Sequence, residues 1–315
     1  MKRLAGREAL IFVVLALIGY AACAQNDTLT WDELRAVYDY DASAALEADV
    51  TEATDAGAWT EQRLSFNSAD GQRVPAVLLR PKDIEKPPCV LFLHGYGGNK
   101  DNARFVATLM IPQGFAVLAI DARLHGERAE AGRTLLSVEG LAGQDRPMVA
   151  TVIDNRRALD YLQTRDDLDA ERIGVMGVSM GGMLGGVLAG VDERVDAAAL
   201  IVAGGSWSVV AATSEHPSAV RLREAGLTGE AIAQMTYVMD PVNFVGQVTP
   251  RTLLMVNGLG DRIIPRECAV ALHEAASDPK EIIWYEGGHV NVPPDTIETI
   301  VQWLVQNTPA VEQEQ

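Results

Sequence analysis

The period of hydrophobic positions along this chain switches repeatedly between two and about three and a half, and the elements follow from the switches. Residues 60–66 and 74–80 alternate apolar and polar side chains as half-buried strands do, and Ser68-Ala69-Asp70-Gly71 between them carries an Asp-Gly turn signal. Short apolar runs follow at 89–93, 116–121, 172–178, 197–202, 252–256 and 281–285. Helical periods fall between and after them, at 101–111, 149–163, 180–191, 266–276 and 295–306. Continuous apolar runs belong to strands buried on both faces, and alternation with helices over short links means parallel strands with right-handed crossovers. The pattern predicts an α/β fold, a single doubly wound, mostly parallel sheet of eight strands opened by an antiparallel pair. No internal repeat or long linker divides it.

Two stretches depart from the alternation. Residues 25–58 read as an acidic, alanine-rich leader with helical segments at 31–38 and 42–48, carrying no evident chemistry, ahead of a main domain over 59–315. Residues 206–248 form a longer connection than strands usually need, with helical patterning near 219–225 and 230–239. Long insertions at the end of a sheet tend to be lids or pocket walls, so a small helical cap is predicted there. Trp207, His216, Met235, Tyr237 and Met239 are its candidate lining residues, and His125 borders the same region from a polar loop.

The N-terminus changes the picture of where the protein works. Lys2, Arg3 and Arg7 precede an apolar stretch over 9–18 and then Gly19-Tyr20-Ala21-Ala22-Cys23-Ala24, the layout of a secretory signal peptide over 1–24 cut before Gln25. The apolar core is shorter than the roughly 20 residues a membrane span needs. A lipid anchor on Cys23 is the alternative to release. The expected location is therefore exported, periplasmic or secreted. The full chain has 26 Lys+Arg against 43 Asp+Glu, a net charge of −17; loss of residues 1–24 removes three basic groups and one acidic group and leaves −19. Such a surface repels nucleic acid and anionic lipid headgroups, which need a basic footprint. Of three cysteines, only Cys89 and Cys268 would remain inside the fold; they are expected at opposite ends of the sheet and unpaired.

The candidate chemistry sits where strands end. Gly177-Val178-Ser179-Met180-Gly181 joins an apolar strand to a small-residue helix, the arrangement that lifts a serine hydroxyl out of a strained turn. His94-Gly95-Tyr96-Gly97-Gly98 follows the run at 90–93 and can turn backbone N–H groups toward a developing oxyanion. Asp261 ends the 252–256 strand through a glycine loop, and His289 ends the 281–285 strand after Gly287-Gly288. Ser179 needs a base, and of five histidines only His289 closes a late strand; His273 lies mid-helix among alanines and reads as solvent-facing. Asp261 supplies the carboxylate that would orient the imidazole. The oxyanion donors are expected to be the backbone N–H groups of Tyr96 and Met180. No cofactor is called for, and neither Cys-x-x-Cys nor His-Glu-x-x-His occurs.

The chain order Ser179, Asp261, His289 resembles that of the α/β-hydrolase superfamily. With the His94–Gly98 loop, the 121–128 segment Asp-Ala-Arg-Leu-His-Gly-Glu-Arg and the short cap, the sequence is similar to the dienelactone hydrolase and prolyl oligopeptidase-like esterases, including the acetyl xylan esterase-related group, from residue 59 onward. The resemblance implies that His94 braces the oxyanion loop. Dienelactone hydrolases carry cysteine where Ser179 stands, and the oligopeptidases carry a propeller for which about 60 preceding residues leave no room. The function expected is a metal-free exported serine hydrolase cleaving carboxylic esters with short acyl groups through an acyl-enzyme. Its partner would be a small-molecule ester, with carbohydrate acetates suggested by the resemblance and by export. Peptidase, thioesterase or acyltransferase activity on the same triad is the alternative, and a non-catalytic exported binding protein the more distant one.

Overall fold

The structure, a computed structural model, describes residues 29–227, 229–249 and 251–308. The expected signal segment 1–24, Cys23 included, lies outside the described residues. The described residues fall into two compact units that part between Val37 and Tyr38. In the first, helix α1 (Trp31–Ala36) starts from a reciprocal cap: Thr30 Oγ1 accepts the Glu33 N–H and the Glu33 carboxylate accepts the Thr30 N–H.

Among the described residues, the second unit has nine strands: β1 (Asp49–Asp55), β2 (Trp59–Asn67), β3 (Arg73–Pro81), β4 (Pro88–Leu93), β5 (Ala116–Ile120), β6 (Asp169–Val178), β7 (Ala197–Ile201), β8 (Thr252–Gly258) and β9 (Lys280–Tyr285). Their order in the sheet is β1-β2-β3-β5-β4-β6-β7-β8-β9. The first three pairings are antiparallel and the remaining five parallel. Every residue of β4, β5 and β7 is buried, which explains their continuous apolar runs. On one face, helices α2 (Ala103–Met110) and α10 (Pro294–Asn307) pack Val106, Met110, Ile300 and Trp303 over Val90, Phe92, Val117 and Ala199. The short helix α3 (Val138–Ala142) follows β5, and helices α4 (Pro147–Gln163), α5 (Met180–Val191) and α9 (Arg266–Ala275) complete the layers.

The ninth strand corrects the sequence reading. β1 falls in the stretch read as a helical leader, and all seven of its side chains are exposed. An edge strand wet on both faces has no hydrophobic period to read; it is held by its backbone register with β2, as at Thr54↔Glu61. Residues 42–48, expected helical, are irregular. Their carbonyls are used elsewhere: the buried Arg157 guanidinium donates to Ala42 O and Ala44 O, and Leu46 O accepts from Asn67 N–H.

Between β7 and β8 the described residues hold α6 (Trp207–Thr213), α7 (Pro217–Glu224) and α8 (Glu230–Thr236), followed by three short 3₁₀ turns. The two ends of this segment are clamped by Asp240, whose carboxylate accepts the N–H groups of Ser206 and Trp207 at 3.0 Å each. Cys89 and Cys268 carry free, buried thiols, pushed up to about 12 by burial.

Candidate active site

Ser179 stands between β6 and α5 at φ 56°, ψ −118°. Positive φ in a residue with a Cβ costs energy and persists only where the surroundings enforce it. Here they do. Ser179 N–H donates to Ile201 O at 2.8 Å, and its own carbonyl starts α5 by accepting Met183 N–H at 3.0 Å. The flanking glycines permit the turn: a Cβ on Gly177 would lie 2.3 Å from Gly181 O, and one on Gly181 would lie 2.0 Å from Leu93 O. The N–H groups of Met180, Gly181 and Gly182, at the start of α5, precede the first intrahelical acceptor.

Asp261 and His289 come to this serine from the ends of β8 and β9, two and three strands along the sheet from β6. Leu259 N–H donates to Tyr285 O and Gly260 N–H to Gly287 O, fastening the Asp261 loop to the His289 loop. The His289 Nε2 lies 2.8 Å from Ser179 Oγ, and its Nδ1 lies 2.8 Å from Asp261 Oδ2. A carboxylate can only accept, so Nδ1 carries the proton and Nε2 is left with its lone pair toward the serine hydroxyl. The other carboxylate oxygen, Oδ1, accepts the N–H groups of Ile263 and Ile264 at 2.8 and 2.9 Å, which fixes the carboxyl plane.

Tyr96 occupies a turn closed by Gly98 N–H donating to Gly95 O, and a Cβ on Gly95 would fall 3.6 Å from Ser179 Cβ, so this loop lies directly beside the serine. His94 ties it down: Nδ1 donates to Gly95 O at 2.9 Å, and Nε2 accepts the Ala122 N–H at 3.1 Å. Burial keeps His94 below the usual histidine value, consistent with a neutral ring making both bonds. The 121–128 segment continues this brace. The Asp121 carboxylate accepts Lys100 Nζ at 2.9 Å and the Glu127 N–H at 2.9 Å, while Asp154 pairs with both Arg123 and Arg128 at 2.7 Å.

A cavity of about 40 Å³ opens over Ser179 and Met180, walled by Tyr96, Trp207, His216 and the apolar cap residues Leu222 and Ile232. Trp207 and His216, both candidates from the sequence, line this cavity. His125 and Tyr237 are not lining residues: His125 stands behind Tyr96, rings 5.3 Å apart, and Tyr237 belongs to the turn leaving the cap, where its carbonyl accepts from Asn243. Met235 and Met239 are likewise outside the lining. Leu136 and Leu141 reach the cavity from the segment after β5, Leu141 on the short helix over Val138–Ala142. Their only sequence signal was apolar side chains in an otherwise polar stretch. His273, expected at the surface, is buried; its Nε2 pairs with Asn257 Oδ1 at 3.0 Å and burial pushes it down to about 4. Among the described residues, no three His, Cys, Asp or Glu side chains are placed to share a metal ion, and no helix is long and apolar enough to cross a membrane.

Comparison with known proteins agrees with this architecture. The family model for acetyl xylan esterase (AXE1) matches residues 25–307. The protein YtaP of Bacillus subtilis (strain 168) is 25% identical over 261 residues, spanning 74% of this chain and 84% of its own. The acetyl xylan esterase from Paenibacillus sp. R4 superimposes with a TM-score of 0.72 at 23% identity, covering 88% of this chain and 93% of that one. Acetyl xylan esterase 1 from Thermoanaerobacterium sp. JW/SL YS485 also gives 0.72, at 21% identity, over 90% and 100% of the two chains. At these identities the two structures share the fold.

Proposed function

Because the chain belongs to the acetyl xylan esterase (AXE1) family and is an ester-hydrolysing enzyme, we propose that it cleaves short-acyl carboxylic esters with Ser179 as nucleophile, His289 as general base and Asp261 as the orienting acid. The observation that carries the reading is the pair of 2.8 Å contacts on the two nitrogens of His289, one to Ser179 Oγ and one to Asp261 Oδ2. His289 Nε2 takes the hydroxyl proton as Ser179 Oγ bonds to the ester carbonyl carbon. The tetrahedral oxyanion receives the backbone N–H groups of Met180 and Tyr96. The C–O bond to the alcohol then breaks, with the His289 Nε2–H protonating the departing oxygen. Water, deprotonated by the same nitrogen, attacks the acyl-enzyme and returns Ser179.

A cavity of about 40 Å³ is a few times the 10–15 Å³ that one water needs, which favours a two- or three-carbon acyl group. Acetyl esters of carbohydrates are the substrate class we infer, from the family and from an N-terminus that reads as a secretory signal with release or Cys23 lipidation to follow. The purified protein and its Ser179→Ala variant should be assayed on p-nitrophenyl esters of increasing acyl length. Serine-dependent release that falls steeply beyond about four carbons is expected. Activity surviving in Ser179→Ala would remove the nucleophile, and a rate that rises with chain length would remove the short-acyl assignment.

A further inference from the structure

His216 uses one ring nitrogen and leaves the other free. Its Nδ1 accepts the Ser218 N–H at 3.2 Å and thereby caps α7. In a neutral ring this places the proton on Nε2. The ring lines the cavity over Ser179, standing edge-on to Tyr96 with centroids 4.9 Å apart and planes at 90°. Burial, then the proximity of His289 and Arg221, pushes it below the usual histidine value, which favours the neutral ring. Among the described residues Nε2 has no hydrogen-bond partner. An N–H donor is therefore held rigidly, by a helix cap on one side and an aromatic edge on the other, in a cavity whose walls are otherwise mostly apolar.

The site's remaining directions are already assigned by the proposed ester chemistry, on which this inference rests. The carbonyl oxygen goes to the amides of Tyr96 and Met180, and the acyl group goes to the apolar surface of Met183, Leu222 and Ile232. The alcohol must leave beside His289, which protonates it. An acetyl group offers no acceptor besides that carbonyl, so the oxygens left for the His216 donor in this cavity are those of the alcohol moiety. We propose that the His216 Nε2–H binds an oxygen of the alcohol moiety adjacent to the scissile ester, making His216 a specificity-determining residue for esters of polyols over esters of simple alcohols.

A donor built to meet a substrate hydroxyl discriminates against alcohols that lack one, because it is then left unpaired. The test compares two acetates that differ in this respect, monoacetylated xylobiose and ethyl acetate, with acid release followed by pH-stat. Asparagine is a good helix cap, so His216→Asn keeps the α7 cap but is too short to reach the alcohol. His216→Phe keeps the ring against Tyr96 and removes both nitrogens. In both variants kcat/KM on monoacetylated xylobiose should fall about 10- to 100-fold, while ethyl acetate stays within about 3-fold of wild type. An equal loss on both substrates, or no loss on either, overturns the assignment. Absence of Ser179-dependent hydrolysis of either acetate by the wild type would instead overturn the underlying ester chemistry.

Discussion

Asp261→Asn should abolish turnover while leaving the fold nearly intact, and the hydrogen bonds around Asp261 say why. The carboxylate accepts three N–H groups: Ile263 and Ile264 on Oδ1, and His289 Nδ1 on Oδ2. An asparagine has one accepting oxygen. Two rigid backbone donors outcompete one movable ring, so the amide oxygen faces Ile263 and Ile264 and the NH₂ group faces His289. The imidazole must then accept at Nδ1 and carry its proton on Nε2, where Ser179 needs a lone pair. Loss of the correct tautomer in this arrangement costs on the order of 10⁴ in kcat, or about 5 kcal/mol of transition-state stabilisation. Asp261→Ala is the informative control. It leaves the two amides unpaired, at about 1–3 kcal/mol for the buried one, but imposes no tautomer. Initial rates on p-nitrophenyl acetate, with thermal unfolding of both variants, should show asparagine to be the more stable of the two and no more active than alanine. An asparagine variant within 10-fold of wild-type kcat would refute the orienting role.

Three further outcomes follow from local geometry. Ser179→Gly should be inactive yet more stable by about 1–2 kcal/mol in urea unfolding, because glycine relieves the positive φ; a lower stability would contradict strain at this turn. Gly181→Ala should be insoluble or destabilised by more than about 3 kcal/mol, since its Cβ would meet Leu93 O at 2.0 Å, and a soluble variant of wild-type stability would count against the turn geometry. His273 lies at about 4 in the folded chain against roughly 6.5 unfolded. The folded state excludes the proton, so the contribution is complete above pH 6.5 and is lost as pH falls toward 4. Denaturation of wild type and His273→Gln between pH 7.5 and 4.5 should show the wild type losing on the order of 1–3 kcal/mol more; parallel curves would contradict a buried neutral ring.

The amino-acid sequence determined the central sheet and the places where the candidate site residues stand. Strands buried on both faces leave apolar runs that composition alone reveals, and a strand-to-helix turn as tight as the one at Ser179 demands glycine at 177 and 181. The Ser179, Asp261 and His289 positions were legible because each closes such a run. Side chains whose environment comes from distant elements were not legible. β1 has no apolar face and exists through backbone pairing with β2. His273 looked solvent-facing among alanines because Asn257 and Trp284, which enclose it, come from two other strands. Tyr237 and His125 have the composition of pocket residues, but the path of the chain out of the cap and the ring of Tyr96 hold them away from the cavity. Periodicity reports which face of an element is buried; what that face meets depends on contacts between residues far apart in the chain, and only the folded structure brings those together.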